Sequence, residues 1–207
     1  MSVVIKLDLR IDTELASAAL SELPDGYLGR SGWNGRGLSS QVKTGSSLEQ
    51  LLNSIPGEMA RAACLTLSPE SEKEMHTDKR GNGQWVMGLD VGEVVGIHIP
   101  LQTNESSFME SADGPVPMEV GSAYALCVWH PHKAVNGGAT ERVHLLRDTF
   151  VDAELLALLD PIPHASARHE EYSIEDQPND DRIVNFGSIG DEEEDCCEEK
   201  CDACEDE

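Results

Sequence analysis

Between Ala60 and Asp148 the chain is written in short apolar runs with strand periodicity, and that leaves few folds open to it. In Val95 to Leu101, Val95, Ile97, Ile99 and Leu101 fall on one side of an extended backbone, while Gly96 and His98 fall on the other. Both faces of such a strand must be occupied, one by helices or a second sheet and one by a site. Asn82-Gly83, Asp113-Gly114-Pro115 and Gly137-Gly138 supply turns between the runs. Short strands joined this way predict a mainly β protein, a barrel or jelly roll.

The N-terminal part adds one strand and two helices. Ile5, Leu7, Leu9 and Ile11 alternate with Lys6, Asp8 and Arg10, the pattern of a half-buried strand. Asp12 or Thr13 is placed to cap a short helix ending near Pro24, and Ser46-Ser47-Leu48-Glu49 reads as a capping box for a second helix that stops before Pro56. Asp152 to Leu159 predicts a third helix covering the barrel. Asp25 to Gly45 carries six glycines beside Tyr27 and Trp33. A glycine-rich stretch of that length is expected to act as a mobile lid.

Charge and cysteine narrow the function classes. Acidic residues exceed basic ones by 39 − 15 = 24, which argues against nucleic-acid binding, because that needs clustered Lys and Arg. No apolar run is long enough to span a membrane, and Met1 to Arg10 lacks a signal-peptide core, so a cytoplasmic enzyme is expected. Cys64 and Cys127 sit in apolar strands and read as buried thiols. The other four cysteines lie within Asp191 to Glu207, a segment with eleven acids and one lysine. Its Cys-x-x-Cys spacing suits a soft metal, but no apolar residues surround it, so a tail without fixed structure is expected. Hydrophobic periodicity fades beyond Pro161. The expected organisation is therefore a β domain over 1–160, an acidic extension over 161–190 and the cysteine-bearing tail over 191–207. Lys133 and Arg147 read as solvated charges.

The chemistry is carried by His76-Thr77-Asp78 and by His130-Pro131-His132, with Arg142 ten residues further on. On an extended strand His76 and Asp78 point the same way and can grip one metal ion. A histidine from a distant strand, His130 or His132, would complete two imidazoles and one carboxylate. That set leaves coordination positions open, as oxygen-activating non-heme iron requires. Arg142 offers a planar pair of donors suited to a carboxylate.

In order along the chain, Val94 to Asn104, Gly121 to Tyr124 leading into Trp129 to Asn136, and Glu141 to Asp148 resemble the aspartyl/asparaginyl beta-hydroxylase family of 2-oxoglutarate oxygenases. The most specific pieces are His98-Ile99-Pro100-Leu101, the His132-x-x-x-Asn136 spacing and Arg142-Val143-His144-Leu145. The resemblance implies a double-stranded beta-helix and iron(II) held by His76, Asp78 and His132, the histidine four before Asn136. It implies 2-oxoglutarate bound through Arg142, with His98 and His144 beside it. The implied reaction is hydroxylation of an unactivated C–H bond on an amino acid, peptide or protein side chain. Some relatives hold the metal with two histidines alone; here Asp78 is present. Leu65 stands where some relatives have a polar contact and Gly96 where they have an arginine, which alters how an acidic group would be received. The alternative is a noncatalytic cupin-like protein that binds a metal or partner, which would have no need of a carboxylate receptor at Arg142.

Overall fold

A computed structural model of the chain describes residues 3–77, 91–128 and 130–159. The expected extension and cysteine-bearing tail lie outside the described residues, as do Asp78 and the Asn82-Gly83 turn.

Ten strands and three helices follow one another: β1 (Val4–Arg10), α1 (Thr13–Ser21), β2 (Trp33–Gly37), α2 (Ser47–Asn53), β3 (Met59–Leu67), β4 (Ser71–His76), β5 (Val94–Gln102), β6 (Ser107–Ser111), β7 (Gly114–Pro117), β8 (Ser122–Leu126), β9 (His132–Asn136), β10 (Arg142–Phe150) and α3 (Ala153–Leu159). They build two antiparallel sheets, one in the order β1-β8-β5-β10-β3-β2 and the other β4-β9-β6-β7. This is the mainly β architecture that the strand pattern predicted, in the double-stranded beta-helix form that the family resemblance implied.

The larger sheet is buried on both faces. Its outer face carries Ile5, Leu7, Ala62, Cys64, Ile97, Ile99, Val143 and Leu145 in one cluster with the helical Ala16, Ala19, Leu48, Leu51, Leu52, Leu155 and Leu159. The alternation in β5 thus sends Ile97 and Ile99 toward the helices and His98 toward the interior. Between the sheets, Leu67, Tyr124 and Leu126 pack against Met109 and Ala134.

Local signals act where they were expected. Asp12 caps α1 by accepting from the Glu14 and Leu15 amides, and Ser46 caps α2 by accepting from the Glu49 amide. The Glu49 carboxylate accepts in turn from the Gly45 amide at 2.6 Å, one residue outside the usual box. Asp152 accepts from the Leu155 amide and opens α3. Cys64 and Cys127 are buried free thiols, with burial pushing them up to about 12 and about 11.

Two expectations need correction. The glycine-rich stretch is not an unattached lid. Trp33–Gly37 pairs along β3 from Leu67 to Ala63, and Tyr27 is buried, its hydroxyl donating to the Gly37 carbonyl at 2.5 Å. Glycine fits the strand at position 35, because a side chain there would press on the Trp33 ring and Leu65. Arg147 is not solvated either. It is 3% exposed, and its terminal nitrogens donate to the carbonyls of Pro56 and Gly57 and to the Thr149 hydroxyl. Lys133 pairs with Glu72 at 2.6 Å, on the outer side of β9.

Candidate active site

His76 and His132 end up side by side. Strand β4 starts in regular register with β9, with Ser71 opposite Asn136 and Lys73 opposite Ala134, but then His76, not Met75, stands opposite His132. One extra residue on β4 makes a bulge, and the bulge turns His76 inward while leaving Met75 44% exposed. The two imidazole centroids are 4.3 Å apart.

Each ring is held from behind by a carbonyl two residues earlier. His76 Nδ1 lies 2.6 Å from the Glu74 oxygen and His132 Nδ1 lies 2.9 Å from the His130 oxygen. A carbonyl only accepts, so each Nδ1 carries a proton, and in the neutral ring this leaves Nε2 with the lone pair. Metal-binding imidazoles have this arrangement, the second nitrogen donating to backbone so that tautomer and ring orientation are fixed. His130 thus supplies its carbonyl to orient His132. Two neutral imidazoles on paired strands fit a divalent metal. Asp78, the expected carboxylate, lies outside the described residues, and among the described residues no third acid, histidine or cysteine joins the pair.

The opposite wall carries the other three expected residues. Val143 and Leu145 of β10 face the helices, so Arg142 and His144 face the interior, and His98 of β5 does the same. The His98 and His144 rings meet edge to face, centroids 5.9 Å apart.

Arg142 is 4% exposed and has no carboxylate partner among the described residues. Its Nη2 reaches the Met118 sulfur at 3.7 Å and His144 Nδ1 at 3.3 Å, and its Nε finds no acceptor. Burial pulls the guanidinium down to about 10, which still leaves it charged at neutral pH. Two other arginines at β10 are matched with oxygen: Arg61 of the neighbouring β3 pairs with Asp148 of β10 at 2.7 Å, and Arg147 of β10 has three oxygen acceptors. A buried cation without an anion is costly, so Arg142 fits a place shaped for an anion brought from outside.

His144 completes that place. It is fully buried, and burial, the Arg142 charge and His98 all hold its pKa well below the ordinary range. The neutral ring accepts from Arg142 at Nδ1, so Nε2 carries the proton and has no partner among the described residues. Two unsatisfied buried donors, Arg142 Nε and His144 Nε2, are thus found on adjacent inward-facing side chains.

Sequence reasoning did not single out Met118, which covers the guanidinium, or Lys73, whose ammonium sits 4.3 Å from the Trp33 ring centroid and links the edges of the two sheets. Neither is marked by a motif; both depend on strands brought together from distant parts of the chain.

Comparison with known proteins decides the family. The family described as aspartyl/asparaginyl beta-hydroxylase matches residues 32–151, more than half of the chain. The chain belongs to this family. Membership covers every strand from β2 to β10 and all of the expected site residues. Among curated proteins none matches the chain significantly. Among solved structures, an oxidoreductase of the 2OG-Fe(II) oxygenase family from Burkholderia pseudomallei aligns over 72% of this chain and 84% of its own, at 16% identity and a TM-score of 0.50. A Pseudomonas putida prolyl-4-hydroxylase aligns over 72% of this chain and 93% of its own, at 14% identity and a TM-score of 0.49. At such identities the likeness bears on the fold alone, the double-stranded beta-helix.

Proposed function

We propose that this family member is an iron(II)- and 2-oxoglutarate-dependent dioxygenase that hydroxylates an unactivated C–H bond of an amino acid, peptide or protein side chain. The observation that carries the reading is Arg142, a buried guanidinium with no oxygen partner among the described residues, beside the Nε2–H of neutral His144, which likewise has none there. A dicarboxylate cosubstrate supplies the missing acceptors, and a guanidinium receives a carboxylate through parallel bonds. The second support is the His76–His132 pair with both Nδ1 protons directed to backbone carbonyls.

On this reading His76 and His132 hold iron through Nε2, Asp78 adds the carboxylate, and Arg142 receives the distal carboxylate of 2-oxoglutarate with His144 and His98 alongside. Iron(II) and 2-oxoglutarate together supply the oxidising chemistry, in which dioxygen and 2-oxoglutarate yield succinate, carbon dioxide and a hydroxylated substrate. The protein contributes fixed tautomers, a fixed anion position and an interior walled by Leu67, Tyr124, Met109 and Met118. The family's name supports an amino-acid side chain as the acceptor.

The test is succinate formation from 2-oxoglutarate in the presence of iron(II) and a pool of amino acids and short peptides. Turnover in the wild type that vanishes in His132→Ala and in His76→Ala supports the reading. Turnover that survives both substitutions refutes it.

A further inference from the structure

Asn136 is fully buried and uses every hydrogen-bonding position its amide has. Its Nδ2 donates to the carbonyls of Leu67 at 2.9 Å, Ser68 at 3.0 Å and Thr140 at 2.8 Å. Its Oδ1 accepts from Asn104 Nδ2 and the Ser107 hydroxyl, both at 2.9 Å, and from the Gly138 amide at 3.3 Å. These partners are not scattered. Leu67 and Ser68 end β3 and lead into β4, the strand of His76. Asn136 itself ends β9, the strand of His132. Thr140 stands two residues before Arg142. Ser107 opens β6, the other neighbour of β9, opposite Asn136 in the ladder.

We propose that Asn136 is a positioning residue, a single side chain that fixes the metal-side strands β4 and β9 and the anion-side strand β10 relative to one another. This rests on the reading of His76, His132 and Arg142 given above. Short strands need such a tie. The β4–β9 ladder runs regularly only from Ser71 to Lys73 before the bulge, so its register at His76 is set by how firmly the Ser71–Asn136 end is held. The same amide grips the turn through which β9 passes into β10. An amide suits this place, because its two N–H hydrogens are shared among three carbonyls while its oxygen accepts from three donors. Aspartate has the shape but no N–H, and would face the three carbonyls with oxygen. Gly138 belongs to the same device, since a Cβ there would overlap the Asn104 amide.

The experiment compares the full chain with Asn136→Asp, Gly138→Ala, Asn104→Ala and, as a stability control, Leu52→Ala, a buried position on α2. Hydrogen exchange is followed on the metal-free proteins, and affinity is measured with Mn(II) alone. The expected result is exchange faster by about tenfold or more in 71–76, 132–136 and 142–144, but not in β1 or α1. Mn(II) binding should weaken by roughly ten- to 100-fold, as for loss of groups that orient ligands. Leu52→Ala should lower the melting temperature without either effect. Wild-type protection at 71–76 and 142–144 with wild-type Mn(II) affinity overturns the proposal, as does an exchange increase spread evenly over the chain. If Asn136→Asp does not fold, Gly138→Ala and Asn104→Ala decide on the same criteria. A wild type that binds no Mn(II) overturns the metal reading instead, and the exchange data then decide the positioning role by themselves.

Discussion

Arg142 spends its terminal nitrogen on a thioether and an imidazole, so the energy it can give to a carboxylate is still unspent. A hydrogen-bonded charged contact contributes about 1.5–3 kcal/mol, or roughly ten- to 150-fold in affinity. Arg142→Ala is therefore expected to raise the 2-oxoglutarate dissociation constant by at least about tenfold, measured by calorimetry, with metal affinity unchanged in the absence of cosubstrate. Arg142→Lys should recover only part, because a point charge does not reproduce two parallel bonds. Neighbouring His144 gives a second residue-scale prediction. Its folded pKa is held below the unfolded value of about 6.5. The unfolded chain then takes up the proton first, so the stability tied to His144 is complete above about pH 6.5 and is lost as pH falls toward the folded value. His144→Gln should lose less melting temperature between about pH 7.5 and about pH 5.5 than the wild type. At this scale the inward placement of Arg142, His144 and His98 was legible, since alternation with Val143, Leu145, Ile97 and Ile99 dictates it. Arg147 was not. Its charge suggested solvent, and the carbonyls that receive it belong to Pro56 and Gly57, about ninety residues earlier in the chain.

Among the elements, β2 and β4 show where pattern reading stops. Glycine density in Asp25 to Gly45 suggested freedom, yet Gly35 and Gly37 lie in a paired strand, and a side chain at Gly35 would press on Trp33 and Leu65. Amides in Trp33–Gly37 that face β3 should therefore be protected from hydrogen exchange, and protection should be the same with or without 2-oxoglutarate. Exchange that slows there only on ligand addition would restore the lid. Strand β4 was harder to read. Strict period two from Ser71 and Lys73 points Met75 inward and His76 outward, and the bulge reverses this. A bulge is set by the ladder opposite, which no local pattern in Glu74-Met75-His76 reveals.

For the molecule as a whole, the strand-and-turn pattern narrowed the fold to a barrel or jelly roll, because an antiparallel chain of short strands has few ways to bury both faces of a sheet, and the family resemblance pointed to the double-stranded beta-helix. Which strands border each other was not legible; that order depends on long-range pairing, such as β1 with β8 and β3 with β10. The acidic excess is densest in Asp191 to Glu207, at 11 − 1 = 10 of the 24, and apart from its cysteines and Ala203 the segment has no apolar side chains to add to a core. Deleting 191–207 is expected to leave the melting temperature and iron-dependent turnover nearly unchanged, and a large fall in either would make the tail structural. No helix among the described residues is long and apolar enough to cross a membrane. The central claim is that one interior holds iron(II) on His76, Asp78 and His132 and 2-oxoglutarate on Arg142. Anaerobic titration of iron(II) and then 2-oxoglutarate, followed by visible absorption, tests it most directly. The account predicts a metal-to-ligand charge-transfer band that needs both additions, is lost in His132→Ala, and requires more 2-oxoglutarate in Arg142→Ala. No band in the wild type, or the same band in His132→Ala, would contradict it.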